Sequence, residues 1–213
     1  ITVTANATNT ILTLTGTATK ANYQTVINQI VYNNTSSNPN TTNRIISFVV
    51  RDNGGLESDA SNTTISVAAS NDAPVLDLDN ATGGNDYSTS FTGGTTTDLA
   101  VTNSATITDP DDTNMESATI TFTNNLDGIG TENISLTAAQ IAAAGINGIT
   151  VNTSVDNLIT LNGTATIAEY LTVINQIVYN NSAVSNATDR TITFVVNDGD
   201  ENCLLYTSPS PRD

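Results

Sequence analysis

The chain has 213 residues, 38% hydrophobic and only 12% charged, and its 5 Lys and Arg stand against 21 Asp and Glu for a net charge of −16. A surface this acidic repels nucleic acid and anionic membranes; it either recruits cations or simply keeps the protein soluble. With no histidine and one cysteine, the chain lacks the commonest transition-metal ligand and any disulfide framework, and no apolar run approaches membrane-helix length.

Ile1–Thr4 and Ile11–Thr15 alternate apolar and polar residues, which predicts half-buried strands. From Thr19 the apolar spacing turns helical through Tyr23, Val26, Ile27 and Ile30. The turn-rich Asn33–Asn43 leads into a strong predicted strand, Arg44–Val50, then a turn at Asp52–Gly55 and a closing strand at Thr63–Val67. Ser70–Pro74 reads as a domain boundary, because Pro74 fixes φ and removes a donor before Val75–Asp79 opens the next sheet. The Gly- and Thr-rich Thr82–Thr97 reads as a loop or a loose hairpin. Leu99–Thr108 alternates, Asp109–Asp112 interrupts it, and Ala118–Thr123 resumes. Leu136–Gly145 predicts a second short helix with Gly145 as its C-cap. After Ile149 the first pattern returns, now with Thr166 and Glu169 spaced as a capping box at the head of a helix. The first copy has Asn22 where the glutamate would stand, so its cap is weaker.

The return is a repeat. Thr25–Asn34 and Thr172–Asn181 are identical, and they sit in the same order among Gly16–Thr19/Gly163–Thr166, Tyr23/Tyr170, Arg44/Arg190 and Phe48–Val50/Phe194–Val196. The offset is 147 at the tyrosines and 146 at the arginines, the length of a domain and well beyond a solenoid unit of about 20 to 50 residues. The expectation is therefore a window on a tandem array: residues 1–70 form the second half of one unit, and residues 71–202 form the next without its last strand. Short strands at regular spacing with turn residues between them predict an all-β fold, a tandem antiparallel Greek-key β-sandwich with short inserted helices. The last stretch, Cys203–Asp213, breaks every earlier pattern and, taken as codons, resembles the read-through of a sequencing-library adapter. It is set aside as a non-native tail; its loss takes one Arg, one Asp and the only cysteine, and leaves the net charge unchanged.

Three acidic spots recur at strand ends: Asn71-Asp72 before Pro74, Asp109-x-Asp111-Asp112 where a strand breaks, and Asn197-Asp198-Gly199-Asp200 after the Phe194–Val196 strand. In a Greek-key sandwich, a linker, one loop and the end of a late strand can meet at one pole. Ca²⁺ takes six to eight oxygens at about 2.3 to 2.6 Å from carboxylates, amide carbonyls and main chain, which is what these spots offer. Asp and Asn also simply favour turns, so a lone D-x-D is weak support, and the argument rests on the combination.

The ordered set of Asn-Asp-Ala-Pro at 71–74, Asp-Pro-Asp-Asp at 109–112, the Gly163–Asn181 stretch and Arg190–Gly199 resembles the cadherin-like repeats of large bacterial surface adhesins, over essentially all of residues 1–202. The resemblance implies an extracellular, calcium-stiffened rod of sandwiches whose partners are the neighbouring repeats and a cell-surface or matrix ligand. It implies Asn71, Asp109, Asp111 and Asp198 as ligands of one ion, with Asp72, Asp112 and Asp200 as additional ligands. Asp52, the first-copy counterpart of Asp198, would serve the preceding junction. The chain departs from the animal pattern at Ala68–Ser70, where an acidic residue would precede the linker, so one ion per junction is expected.

The remaining residues carry plainer expectations. The four repeated tyrosines, Tyr23, Tyr32, Tyr170 and Tyr179, read as core aromatics, and Arg44 and Arg190 as partners of local carboxylates. The Thr-rich strands leave an alternative open, a glycan- or ice-binding face that works without calcium, although Thr is also a favoured strand residue. An enzyme is not expected: without histidine or a usable cysteine it would need a carboxylate pair in a cleft, and no spacing marks one.

Overall fold

The computed structural model describes residues 1–93, 95–100, 103–183, 187–200 and 205–207. It divides into two compact units, Ile1–Pro39 and Asn40–Asp213. The first unit holds β1 (Thr2–Ala5), β2 (Leu12–Thr15) and α1 (Lys20–Ile27). β1 and β2 form an antiparallel pair with Thr2 opposite Thr15, and α1 starts at Thr19, whose hydroxyl accepts from the Asn22 N–H. Tyr23 Oη donates to the Gly16 carbonyl at 2.6 Å, which ties the helix back to the end of β2.

The second unit begins with a hairpin of β3 (Arg44–Phe48) and β4 (Ser61–Ile65), paired antiparallel. β5 (Val75–Asp77), β6 (Thr96–Asp98), β7 (Thr106–Thr108), β8 (Asn114–Phe122) and β9 (Glu132–Ser135) follow, then α2 (Ala138–Ile146), β10 (Thr150–Val155), β11 (Leu158–Thr166), α3 (Ile167–Ile174), β12 (Val178–Asn181), β13 (Ile192–Asn197) and β14 (Leu205–Thr207). They form a five-stranded sheet in the order β10-β11-β8-β13-β14, a three-stranded sheet β6-β12-β9 and a pair β5-β7. Every strand pairing is antiparallel. The described chain is thus strands in antiparallel sheets with three short helices. No helix among the described residues is long and apolar enough to cross a membrane.

The alternation seen in the sequence is what buries the core. β8 turns Met115, Ala118, Ile120 and Phe122 inward, β11 adds Ile159 and Leu161, and β13 adds Ile192, Phe194 and Val196. β5 contributes Leu76, and α3 covers the group with Tyr170, Val173 and Ile174. The pairing of β8 with β11 shifts register between Asn162 and Ala165. Gly163 sits in that irregularity at φ 131°, and a Cβ there would meet the Gly148 carbonyl oxygen at 2.2 Å, so only glycine fits.

The predicted capping box at Thr166 and Glu169 is present in full. α2 has one too, between Thr137 and Gln140, which the sequence reading did not single out. The C-cap expected at Gly145 falls two residues later: Asn147 caps α2 and Gly148 takes the left-handed conformation at φ 82°. Ile149 N–H then bonds Ala144 O at 3.0 Å and Gly148 N–H bonds Gly145 O at 3.2 Å, the paired bonds of a Schellman ending. Gly145 lies inside the last turn because the apolar face runs on to Ile149, which is fully buried.

The tail at Cys203–Asp213, set aside on sequence grounds, supplies a strand: the backbone of Leu205–Thr207 pairs with β13, where β4 pairs with β3 in the first copy. An edge strand offers its free N–H and C=O groups to any extended chain, whatever that chain's origin. Part of the alternating stretch Leu99–Thr108, at 101 and 102, lies outside the described residues.

Candidate metal centre

The three acidic spots meet at one place. The Asn71 side chain donates from Nδ2 to Asp198 Oδ2 at 3.0 Å, linking the segment before β5 to the end of β13. The next residue does the same for the loop before β8: Asp72 N–H lies 3.3 Å from both Asp111 oxygens. Within that loop, Asp109 Oδ1 accepts from the N–H groups of Asp111 at 3.1 Å and Asp112 at 3.0 Å, a turn that aims several carboxylates at one point. At the end of β13, Asp198 Oδ1 accepts from Asp200 N–H at 2.9 Å, and Asn197 Oδ1 from Gly199 N–H at 2.7 Å. Oxygens from Asp109, Asp111 and Asp112 all lie within 4.8 Å of one another.

Two features make this more than a set of Asp-rich turns. Asp109 Oδ2 is buried and, among the described residues, has no hydrogen-bond partner. Such an oxygen carries an uncompensated desolvation penalty unless a proton or a cation meets it. The second feature is electrostatic. Burial pushes the Asp109 carboxyl up, against the two N–H groups that lower it, and Asp111 raises it further. Burial also pushes Asp112 up, helped by the charges of Asp109, Asp111, Asp200 and Asp198. The repulsion of like charges therefore spans the Asp109–Asp112 loop and the end of β13, and the Asp109, Asp111 and Asp112 carboxylates can hold a metal ion. All seven sequence-predicted residues are in the second unit. Asp198 is buried, Asp200 is exposed, and the others are half-buried. Asp52 lies elsewhere: it is exposed and closes its own turn, accepting from Leu56 N–H at 2.9 Å.

A second polar centre escaped the sequence reading in this form. Glu132 is fully buried and accepts from Tyr179 Oη at 2.5 Å, from the N–H groups of Leu126 and Asp127 at 2.9 Å, and from Arg190 Nε. Arg190 Nη2 also pairs with Asp127 Oδ2 at 2.9 Å. Burial acts to raise the Glu132 carboxyl, but the bonds from Tyr179, Asp127 N–H and Arg190 outweigh it and hold it below the usual range. Tyr179 is pushed up to about 12, first by burial and then by its bond to Glu132. The expected local carboxylate partner of Arg190 is thus a pair reached across the fold, while Arg44 donates to the carbonyls of Thr42 and Asn40 instead. The available signal was parity: Glu132 shares the inward face of its strand with Ile134, and a buried carboxylate must find a cation or donors.

Searches against protein-family models, curated proteins and solved structures give no match to the chain.

Proposed function

We propose that this pole is a Ca²⁺ site and that the chain is a calcium-stabilised, extracellular structural and adhesive module. The observation that carries the reading is the buried, unpartnered Asp109 Oδ2 in a loop whose Asp109, Asp111 and Asp112 oxygens all lie within 4.8 Å of one another, with Asp72 N–H bonded to Asp111. Ligand oxygens on opposite sides of Ca²⁺ stand about 4.6 to 5.2 Å apart, twice the usual Ca–O distance, which suits a cluster confined to 4.8 Å. Asp109, Asp111 and Asp198 would supply carboxylates and Asn71 its amide oxygen, after that amide turns from donating to Asp198. Asp72, Asp112 and Asp200 would complete the shell. The ion would offset both the burial and the neighbouring charges that raise Asp112, and would fix the Ser70–Pro74 segment against the body of the repeat. In a tandem Greek-key sandwich of the cadherin-like kind, that segment joins successive repeats, so calcium would stiffen the array against its neighbours and present it to a cell-surface or matrix ligand.

The alternative, direct binding of glycan or ice on a Thr-rich face, has less support. Thr119 stands opposite Thr160, and Thr121 opposite Thr193, but the first three are half-buried and Thr193 is buried, so they form no open flat array. Calcium titration by calorimetry with parallel melting curves tests the leading reading. Saturable binding with a melting temperature that climbs with calcium is expected; no heat and no shift at millimolar calcium would move the argument to the Thr face.

A further inference from the structure

β3 and β13 are one strand in two surroundings. At the offset of 146, Ile192, Phe194 and Val196 correspond to Ile46, Phe48 and Val50. In the second copy these side chains are 7%, 1% and 1% exposed, and the strand is paired on both edges, by β8 and by β14. In the first copy Val50 is 55% exposed and Ile46 and Phe48 only half-buried. β4 takes one edge of β3, and among the described residues no strand takes the other. The arginines repeat the contrast. Arg190 donates to the Thr188 carbonyl two residues back, and Arg44 donates to the Thr42 carbonyl in the same posture. Arg190 goes on to Asp127 and Glu132, on the segment that follows β8, whereas Arg44 turns to the Asn40 carbonyl.

We propose that the open edge of β3, with its apolar row Ile46, Phe48 and Val50 and with Arg44 at its end, is an acceptor for an extended segment of the chemistry of Asn114–Ser135. Such a segment is an alternating apolar strand followed by an acidic turn, as carried by the first half of a repeat of this kind. The pairings of β13 with β8 set the register: Ile46 would face the Phe122 position, Phe48 the Ile120 position and Val50 the Ala118 position, antiparallel. Main-chain bonds along the edge supply affinity, and the apolar row and the Arg44–carboxylate contact supply selection among strands. The charge decides between occupants: Arg44 keeps the carbonyl contact two residues back that Arg190 also makes, and the acidic turn would bring two carboxylates to the Nη2 that now bonds the Asn40 carbonyl and to Nε. No cation takes part, so the docking stands or falls separately from the calcium reading.

The test uses the full chain, isotope-labelled, in chelator, titrated with a synthetic peptide of the sequence Asn114–Ser135. Saturable movement of the β3 amide resonances is expected, with those of β13 unmoved. Neutralising the peptide with Asp127→Asn and Glu132→Gln should weaken binding about tenfold or more, since each removes a charge partner of the guanidinium. Arg44→Ala in the chain should do the same, and the peptide variant keeps the question decidable if Arg44→Ala disturbs the hairpin. No movement at millimolar peptide, movement confined to β13, equal affinity of the neutralised peptide, or sedimentation showing the edge closed by a second copy of the chain would each overturn the proposal.

Discussion

Asn71 and Asp198 are 127 positions apart, yet Asn71 Nδ2 donates to Asp198 Oδ2 at 3.0 Å, and the adjoining Asp72 N–H reaches Asp111. One dipeptide therefore holds both the late-strand end and the D-x-D loop. On the proposed reading, a cation bound beside them would offset the repulsion between the Asp109–Asp112 loop and the end of β13. At free calcium 100 times the dissociation constant, binding to the folded state adds about 2.7 kcal/mol. Asp111→Ala is expected to weaken calcium binding and to remove most of the calcium-induced rise in melting temperature, while moving the melting temperature in chelator much less. Equal calcium-induced rises in the variant and the parent would remove Asp111 from the site.

The pH dependence should differ in sign between the two polar centres. Asp109 and Asp112 titrate above their ordinary 3.8, so the folded state holds their protons more tightly than the unfolded one. Their contribution to stability in chelator is full below 3.8 and is lost as pH rises through their raised values. Glu132, held below its ordinary 4.5, contributes the opposite way: its stabilisation is present above 4.5 and is lost as pH falls through its lowered value. Melting curves in chelator should therefore show stability rising as pH falls through the raised values of Asp109 and Asp112, opposed below 4.5 by the loss of the Glu132 contribution. Saturating calcium should abolish the first limb, because the ion takes the place of the protons; a first limb of the same size with calcium would contradict the assignment.

The buried Arg190 pair makes a distinct prediction about stability alone. Arg190→Ala leaves two buried carboxylates, Asp127 and Glu132, with their other hydrogen bonds but without the cation they share, and is expected to cost about 3 to 5 kcal/mol in urea unfolding. Glu132→Gln leaves Arg190 paired with Asp127 and keeps a hydrogen-bonding side chain, so its cost should be smaller, about 1 to 3 kcal/mol. If the two variants lose the same stability, the guanidinium is not shared between the carboxylates. Neither variant should alter calcium affinity, since neither Arg190 nor Glu132 belongs to the metal centre.

Local signals in the sequence were read well where local physics decides. The Thr166–Glu169 capping box and the alternation of Ala118–Phe122 follow from short-range chemistry, and the Asn71–Asp198 contact follows from how the antiparallel strands bring distant segments together. The identical decapeptides show where that ends. Thr172–Asn181 runs from the last turns of α3 into β12, with Tyr179 5% exposed against Phe91 and Phe122. In Thr25–Asn34 the helix forms again, but the residues after it form no strand, and Tyr32 is 40% exposed. Ten residues can specify a helix and its cap; a strand also needs the neighbours β6 and β9 that pair with β12. The Asp127–Glu132–Arg190 network was hidden for a similar reason, since its members come from separate stretches and share no motif.

The glycine pair Gly16 and Gly163 separates backbone conformation from steric contact. Both occupy the left-handed side, at φ 128° and 131°, so an alanine at either position pays the same conformational penalty. They differ in what a Cβ would meet: Ile1 Cα at 3.4 Å, an ordinary contact, at Gly16, but the Gly148 carbonyl oxygen at 2.2 Å at Gly163. That carbonyl belongs to the Schellman ending of α2, so Gly163→Ala must move either the bulge of β11 or the helix C-terminus. Gly163→Ala is expected to cost at least about 2 kcal/mol by urea unfolding, from strain added to lost pairing. Gly16→Ala carries only the conformational share and should cost about 1 kcal/mol at the local level, read from hydrogen exchange at the β1–β2 pair. Equal costs at the two sites would mean that the close approach of Gly163 to Gly148 is not what fixes glycine there.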